Sequence, residues 1–199
     1  IYRHLDLGEL ERHLAEAGNS STRAIVVTDG VFSMRGDHAP LDAIRELVDR
    51  HDPAFAENAM LVVDDSHGVG ALGPSGRGTE QITEPGVSDL LIGTLGKAFG
   101  VNGGYVVGSG TVIGYLRETS PFYIYSNPIT PAEAAAAFEA IGIVDGSEGA
   151  TLLEHLAAMT GRFRQGLAAL GLETLPGRHP VVPLMMRDTD RTSRIVAHL

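Results

Sequence analysis

The 199-residue chain contains a single lysine, Lys97, beside fourteen arginines. Because arginine occupies the other positions that need a positive charge, we expect Lys97 to supply a primary amine. A desolvated lysine can lose its proton and condense with an aldehyde to form a Schiff base, whereas a guanidinium stays charged. Small residues in the stretch 93–100 leave room around Lys97, and Thr94 offers a hydroxyl to an anion. These features predict a lysine that carries pyridoxal phosphate; the alternative is a chance surface lysine in a tight turn.

Three further polar residues follow a predicted buried strand at 60–63. Asp64, Asp65 and His67 come where that strand ends, and the carboxyl ends of strands are where open α/β sheets bind ligands. An aspartate there could pair with a protonated pyridine nitrogen, and the histidine could bond the phenolic oxygen or stack on the ring. Two alternatives stay open at this point: a metal site or a plain polar turn.

Glycines are frequent at 68–78, but their spacing fits neither the dinucleotide-binding nor the P-loop template. The stretch 93–98 also fails as a P-loop, because no Ser or Thr follows the lysine. We therefore interpret 68–78 as a flexible, turn-forming segment. The other seven histidines are scattered along the chain and are predicted to be solvated: His4, His13, His38, His51, His155, His179 and His198.

Composition excludes several function classes. The net charge of −10 argues against a nucleic-acid groove, which needs clustered basic residues. The absence of cysteine removes disulfides and zinc–thiolate sites. No apolar run reaches the length of a membrane span and no signal sequence opens the chain, so we expect no membrane partner and a cytoplasmic location.

Short apolar runs alternate with helical stripes in the first part of the chain. Strands are predicted at 24–28, 60–63, 90–93 and 105–107, and helices at 7–17, 40–51 and 111–119. The continuous apolar run at 24–28 predicts a strand buried on both faces. The alternation predicts a parallel α/β sheet, while the short link before Tyr105 predicts that the last two strands pair antiparallel.

The second part of the chain is predicted to be mostly helical. Thr130 to Glu133 reads as a capping box that opens a helix at 131–144. A helix at 150–170, a strand at 181–186 and a helix at 190–199 follow. We assign residues 1–148 to a large cofactor-binding domain and residues 149–199 to a connecting helix and the start of a smaller C-terminal domain. The abrupt beginning and end predict a fragment of a longer protein.

Six motifs, taken in order, resemble those of the α-oxoamine synthases, which are fold-type I pyridoxal-phosphate enzymes. They are TDGVFSM at 28–34, VDDSH at 63–67, GRG at 76–78, GTLGK at 93–97, GGY at 103–105 and YSN at 125–127. The resemblance implies an aspartate aminotransferase-like fold, with a three-layer α/β sandwich in the large domain. The motifs around Asp64, Lys97 and Tyr105 are most similar to the glycine C-acetyltransferase branch. Residues 36–41 are similar to the 8-amino-7-oxononanoate synthase branch.

The resemblance also implies roles for individual residues. Lys97 would form the Schiff base with the cofactor and later move the α-proton of the substrate. Asp64 would pair with the pyridine nitrogen, and His67 and Ser33 would reach the phenolic oxygen. Thr94 would bind the cofactor phosphate. Ser126, together with Asn127, would reach the phosphate of the neighbouring subunit of a homodimer.

The implied activity is the condensation of an amino acid, expected to be glycine, with an acyl-CoA, expected to be acetyl-CoA. Alternatives are the decarboxylating condensation of alanine by an 8-amino-7-oxononanoate synthase and another fold-type I activity such as an aminotransferase. A catalytically inactive binding or scaffold homologue is the alternative from another class. The family's glycine-rich phosphate loop and its cofactor-stacking histidine are expected before Ile1, and its substrate-carboxylate arginine after Leu199.

Overall fold

The computed structural model describes residues 1–198, so the final residue of the predicted last helix lies outside the described part. At its centre is a four-stranded sheet in the order β1-β2-β3-β4. The strands are β1 (Arg23–Asp29), β2 (Asn58–Asp64), β3 (Leu90–Thr94) and β4 (Gly104–Gly108). β1, β2 and β3 pair in parallel, and β4 pairs antiparallel with β3. All four predicted strands and the antiparallel pairing are confirmed.

Helices connect and follow the strands. They are α1 (Leu7–Ala17), α2 (Leu41–His51), α3 (Gly110–Thr119), α4 (Pro121–Ile124), α5 (Pro131–Val144), α6 (Ser147–Ala169) and α7 (Thr189–His198). Short 3-10 turns lie at Asp52–Ala54 and Thr79–Gln81. No helix among residues 1–198 has the length and apolar character needed to cross a membrane. The observed sheet with its helices is the mixed α/β architecture that the sequence predicts.

The hydrophobic core lies between one face of the sheet and the first two helices. Leu10 and Leu14 of α1 and Ile44 of α2 are buried there against Leu61 and Val63 of β2. α1 starts where the Asp6 side chain accepts a hydrogen bond from the Glu9 amide at 2.9 Å, as expected for a helix N-cap. This packing holds β1 and β2 rigidly and therefore fixes the edge where both strands end.

The opposite face of β1 departs from the prediction that this strand is buried on both sides. Ile25 and Val27 are 58% and 60% exposed, whereas Val26 and Thr28 are buried. Residues of a strand alternate between faces, so α1 and α2 cover only one set. Within residues 1–198 no helix or strand covers Ile25 and Val27 as completely as α1 and α2 cover Val26 and Thr28.

The predicted strand at 181–186 is wrong. Only a single bridge forms there, between Thr174 and Leu184. Pro183 interrupts the run because proline has no N–H to donate to a sheet ladder. The carbonyl of Val181 instead accepts a hydrogen bond from the Arg164 side chain at 3.4 Å.

α5 begins with the predicted capping box, which is confirmed. The Thr130 hydroxyl accepts from the Glu133 amide at 3.2 Å, and the Glu133 carboxylate accepts from the Thr130 amide at 2.7 Å.

We expect Thr130→Ala to lower the free energy of unfolding by about 1 kcal/mol, because the N-cap hydroxyl is lost. Thr130→Ser keeps the hydroxyl and serves as the control, with a change close to zero. Chemical denaturation of both variants measures the difference. Equal stability of the two variants would show that the capping bond does not stabilise the protein.

Candidate active site

Parallel pairing brings two carboxylates together at one edge of the sheet. Asp29 and Asp64 are the last residues of β1 and β2, and they are partners in the strand register. His67 follows three residues after β2, and Lys97 follows three residues after β3. The edge therefore gathers two acids, one imidazole and one amine from three neighbouring strands.

The electrostatics of these four side chains show that they influence one another. Burial lowers the pKa of His67, and the positive charge of Lys97 lowers it further, while Asp29 and Asp64 oppose the shift. Burial raises the pKa of Asp29, and so does Asp64, while His67 and Lys97 oppose that shift. Lys97 itself is exposed at the surface of its loop. Lys97 thus lies near His67 and Asp29 but is not desolvated here, and its predicted role in a site with Asp64 and His67 stays a prediction.

The Asp64 carboxylate has an oxygen available to accept a hydrogen bond from a pyridinium nitrogen. One carboxylate oxygen accepts a hydrogen bond from the Ser66 amide at 3.0 Å, and within residues 1–198 no group donates to the other oxygen. A half-buried carboxylate with one oxygen held in place is a suitable acceptor for a charged N–H. The carboxylate of Asp64, the imidazole of His67 and the amine of Lys97 therefore suit pyridoxal phosphate.

Asp65 has a different role from its neighbour, because its side chain is fully buried. Its carboxylate accepts hydrogen bonds from the Thr79 amide at 2.6 Å and from the Thr79 hydroxyl at 2.7 Å. Three glycines from two loops leave no room for a side chain beside it: a Cβ at Gly30, Gly68 or Gly78 would lie 2.0–2.2 Å from a carboxylate oxygen. Asp65 thus organises the loops that carry Asp64 and His67.

Thr94 and Tyr105 shape the loop that leads to Lys97. The Thr94 hydroxyl donates to the Gly103 carbonyl and accepts from the Gly96 amide, both at 3.2 Å. To donate to a phosphate as expected, this hydroxyl would have to release Gly103. The Tyr105 ring lies over Gly93, where a Cβ would be 2.3 Å from a ring carbon.

The other predicted site residues lie apart from this cluster. Ser33 is exposed in the turn that follows β1. Ser126 and Asn127 are exposed after α4, and the Ser126 hydroxyl donates to the Phe122 carbonyl. Within residues 1–198 none of the three contacts Asp64 or His67 through a hydrogen bond. Their predicted contacts with the cofactor remain predictions.

His179 corrects one expectation, since it is only 4% exposed and not solvated as predicted. Its ring Nε2 donates a hydrogen bond to the backbone carbonyl of His67 at 2.8 Å, and the two imidazole centroids are 6.4 Å apart. No local pattern could have revealed this contact, because the partners are 112 residues apart.

As for the metal alternative, residues 1–198 contain no cluster of three or more His, Cys, Asp or Glu placed to hold an ion.

Residues 1–197 match the family model for aminotransferase class I and II. The chain is 38% identical over 200 residues to 8-amino-7-oxononanoate synthase of Thermosipho melanesiensis, covering all of this chain and 49% of the relative. It is 39% identical over 198 residues to human mitochondrial 2-amino-3-ketobutyrate coenzyme A ligase, covering 98% of this chain and 45% of the relative. It therefore spans about half the length of the curated relatives it matches.

The fold is also similar to a solved relative. A serine palmitoyltransferase variant from S. paucimobilis, solved with a bound PLP–myriocin aldimine, superposes with a TM-score of 0.86 at 27% identity. The match covers 96% of this chain and 48% of that one. The chain belongs to the aminotransferase class I and II family, whose fold-type I architecture it shares. The resemblance to α-oxoamine synthases and the expectation of a pyridoxal-phosphate family are confirmed.

Asp65 makes stability depend on pH in an unusual direction. Burial raises its pKa from 3.8 to about 6, more than the hydrogen bonds from Thr79 lower it. The folded protein then holds this proton more tightly than the unfolded chain, so the free energy of unfolding falls as pH rises from about 4 to 6. The full effect is about 3 kcal/mol. Asp65→Asn cannot ionise. We therefore expect its free energy of unfolding, measured by denaturation at several pH values, to rise relative to that of the parent as pH increases from about 4 to 6.

Asp65→Ala provides the contrast, because it leaves the buried N–H and hydroxyl of Thr79 without a partner. We expect it to be about 1–3 kcal/mol less stable than Asp65→Asn at every pH, because neither variant ionises at this position. A parent protein that gains stability relative to Asp65→Asn as pH rises from 4 to 6 would contradict the proposed protonation of Asp65.

The proximity of Lys97 to His67 can be measured without any cofactor. We expect Lys97→Gln to raise the pKa of His67, because a positive charge that opposes imidazolium formation is removed. Asp29→Asn should lower the same pKa, because an opposing negative charge is lost. NMR titration of the His67 ring measures both shifts. An unchanged pKa in both variants would show that the four side chains do not form one cluster.

Proposed function

We propose that the chain forms part of a pyridoxal-phosphate-dependent acyltransferase that joins an amino acid to an acyl-CoA. The observation that carries the proposal is the placement of Asp64, His67 and Lys97 at and just after the carboxyl ends of the paired parallel strands β2 and β3. An arginine-rich chain that keeps one lysine at this edge supports a need for a primary amine.

Pyridoxal phosphate, when bound, supplies an electron sink that stabilises negative charge at the α-carbon of an amino acid. The Asp64 carboxylate would keep the pyridine nitrogen protonated, because the negative charge favours the cationic form. The Lys97 amine would hold the cofactor in the absence of substrate and then move the proton at the α-carbon. His67 and Ser33 would donate toward the phenolic oxygen, and Thr94 toward the phosphate.

A homodimer with a shared site accounts for the position of Ser126 and Asn127. Both are exposed, far along the chain from the Asp64 cluster, and they stand beside exposed aromatic side chains. Phe122 and Tyr125 are 88% and 87% exposed, which favours burial of this surface in an interface. We propose that Ser126, with Asn127, reaches the cofactor phosphate of the neighbouring subunit.

For the substrates we propose glycine and acetyl-CoA. The motifs around Asp64, Lys97 and Tyr105 favour this pair, as does the human 2-amino-3-ketobutyrate coenzyme A ligase relative. The second candidate is the condensation of alanine with a dicarboxylic acyl thioester, with loss of the alanine carboxylate. Residues 36–41 and the Thermosipho melanesiensis relative favour it.

We expect Lys97→Arg to abolish both covalent cofactor attachment and turnover, since a guanidinium keeps the charge but cannot condense with an aldehyde. The measurement is cofactor absorbance that stays with the full natural protein after borohydride reduction and denaturation. Arg117→Lys, an exposed change in α3, is the matched control and should retain attachment. A Lys97→Arg protein that still turns over its substrates would contradict the proposed function.

Carboxyl-labelled amino acids distinguish the two substrate pairs. With glycine and acetyl-CoA we expect release of a free thiol and a product that keeps the label, provided that borohydride in the quench reduces the ketone before the β-keto acid can decarboxylate. With the second candidate, labelled alanine would lose its label as carbon dioxide. Amino-group transfer without any need for acyl-CoA would indicate an aminotransferase. A folded protein that neither binds pyridoxal phosphate nor releases thiol would favour the scaffold alternative.

A further inference from the structure

His179 is a buried titratable side chain with no assigned task, and both of its ring nitrogens are engaged. The Val181 amide donates to Nδ1 at 3.1 Å, and Nε2 lies 2.8 Å from the backbone oxygen of His67. An amide N–H can only donate, so Nδ1 must be the unprotonated nitrogen. Nε2 then carries the hydrogen and donates it to the His67 carbonyl.

The segment that carries His179 is itself held tightly, and we call residues 175–181 the clamp segment. Arg164 of α6 donates to the Leu175 carbonyl at 2.6 Å and to the His179 and Val181 carbonyls at 3.4 Å. Three carbonyls bound to one guanidinium leave the backbone little freedom.

The other side of the clamp segment touches the turn that contains Ser33. At Gly36, which has φ of +68°, a Cβ would lie 2.2 Å from the Val181 oxygen. The Gly36 oxygen in turn lies 3.0 Å from the position of a Cβ at Gly177. The clamp segment therefore fills the space between α6, this turn and the loop of His67, with no room for further side chains.

We propose that His179 is a positioning residue that holds the His67 loop in place for the cofactor, acting through the His67 carbonyl. The inference rests on the proposed cofactor-facing role of His67 and extends it by a residue outside the motifs. The hydrogen bond from His179 is accepted by the backbone carbonyl of His67, so it fixes the backbone position from which the His67 side chain extends. Orientation of a ring against a cofactor depends on such supports.

The charge environment favours a neutral His179. Burial lowers its pKa; His67, Arg164 and His38 lower it further, while the bond to the His67 carbonyl opposes them. The neutral form adds no positive charge beside His67. Protonation at Nδ1 would place two N–H groups face to face at Val181, so we expect the clamp to weaken as pH falls below the ordinary histidine value of about 6.5.

The hydrogen-bond pattern can be tested directly in the full natural protein with labelled histidine. Long-range nitrogen–proton NMR spectra should assign His179 the Nε2–H tautomer at neutral pH. Observation of the Nδ1–H tautomer, or of a charged ring, overturns the proposal whatever the variants do. The measurement needs no cofactor, so it stays informative even if Lys97 does not bind pyridoxal phosphate and the proposed function fails.

Two substitutions separate the bonds made by the ring. The amide nitrogen of His179→Gln lies as far along the side chain as Nε2 and can still donate to the His67 carbonyl. His179→Asn places an oxygen where Nδ1 was, and so keeps the bond from Val181 but loses the donor to His67. We expect His179→Asn to weaken pyridoxal-phosphate binding about tenfold, as for a lost buried bond. It should also shift the His67 ring titration, whereas His179→Gln stays close to the parent in both.

Equal behaviour of two folded variants would overturn the proposal, whether both match the parent or both lose affinity to the same degree. If His179→Asn does not fold, the proposal stands only if His179→Gln keeps the parent's affinity and His67 titration and the parent shows the Nε2–H tautomer. Thermal unfolding of each variant establishes which case applies.

Discussion

The buried carboxylate of Asp65 is the constraint on which the edge of the sheet depends. This carboxylate is shielded from water and accepts two hydrogen bonds from Thr79, while Gly30, Gly68 and Gly78 pack closely around it. Such a group is costly to bury, so its partners cannot move without leaving it unsatisfied. The backbone positions of Asp64 and His67, on either side of Asp65, are therefore fixed. Asp65 thus anchors these two candidate site residues without being a candidate itself.

Much of this edge follows from sequence because it is built from local rules. Apolar runs mark the strands, parallel strands bring their carboxyl ends to one edge, and Asp64, His67 and Lys97 stand where those ends occur. The capping box at Thr130 is likewise written in four consecutive residues. Asp29 ends β1 as Asp64 ends β2, so the signal that points to Asp64 points to Asp29 as well.

What could not be predicted depends on contacts between distant segments. Asp65 and Asp64 are identical in type and adjacent, and only the approach of Thr79 makes one an anchor and leaves the other free. His179 lacks any local sign of burial, since its partner is 112 residues away. The apolar pattern at 181–186 suggested a strand, but the competition of Arg164 for carbonyl oxygens, together with Pro183, prevents one. The exposed Ile25 and Val27 show that an apolar run reports the tendency to be covered, not what covers it.

The separation between His67 and His179 also orders events during synthesis. The three parallel strands β1, β2 and β3 are complete once residue 94 has left the ribosome, and they can pair as soon as they emerge. The bond to His179 must wait until the chain has been extended past residue 181. A nascent chain thus passes through a period in which the sheet exists while the His67 loop still lacks this support, since distant contacts close last. Completion of this edge of the sheet is therefore coupled to the synthesis of the clamp segment.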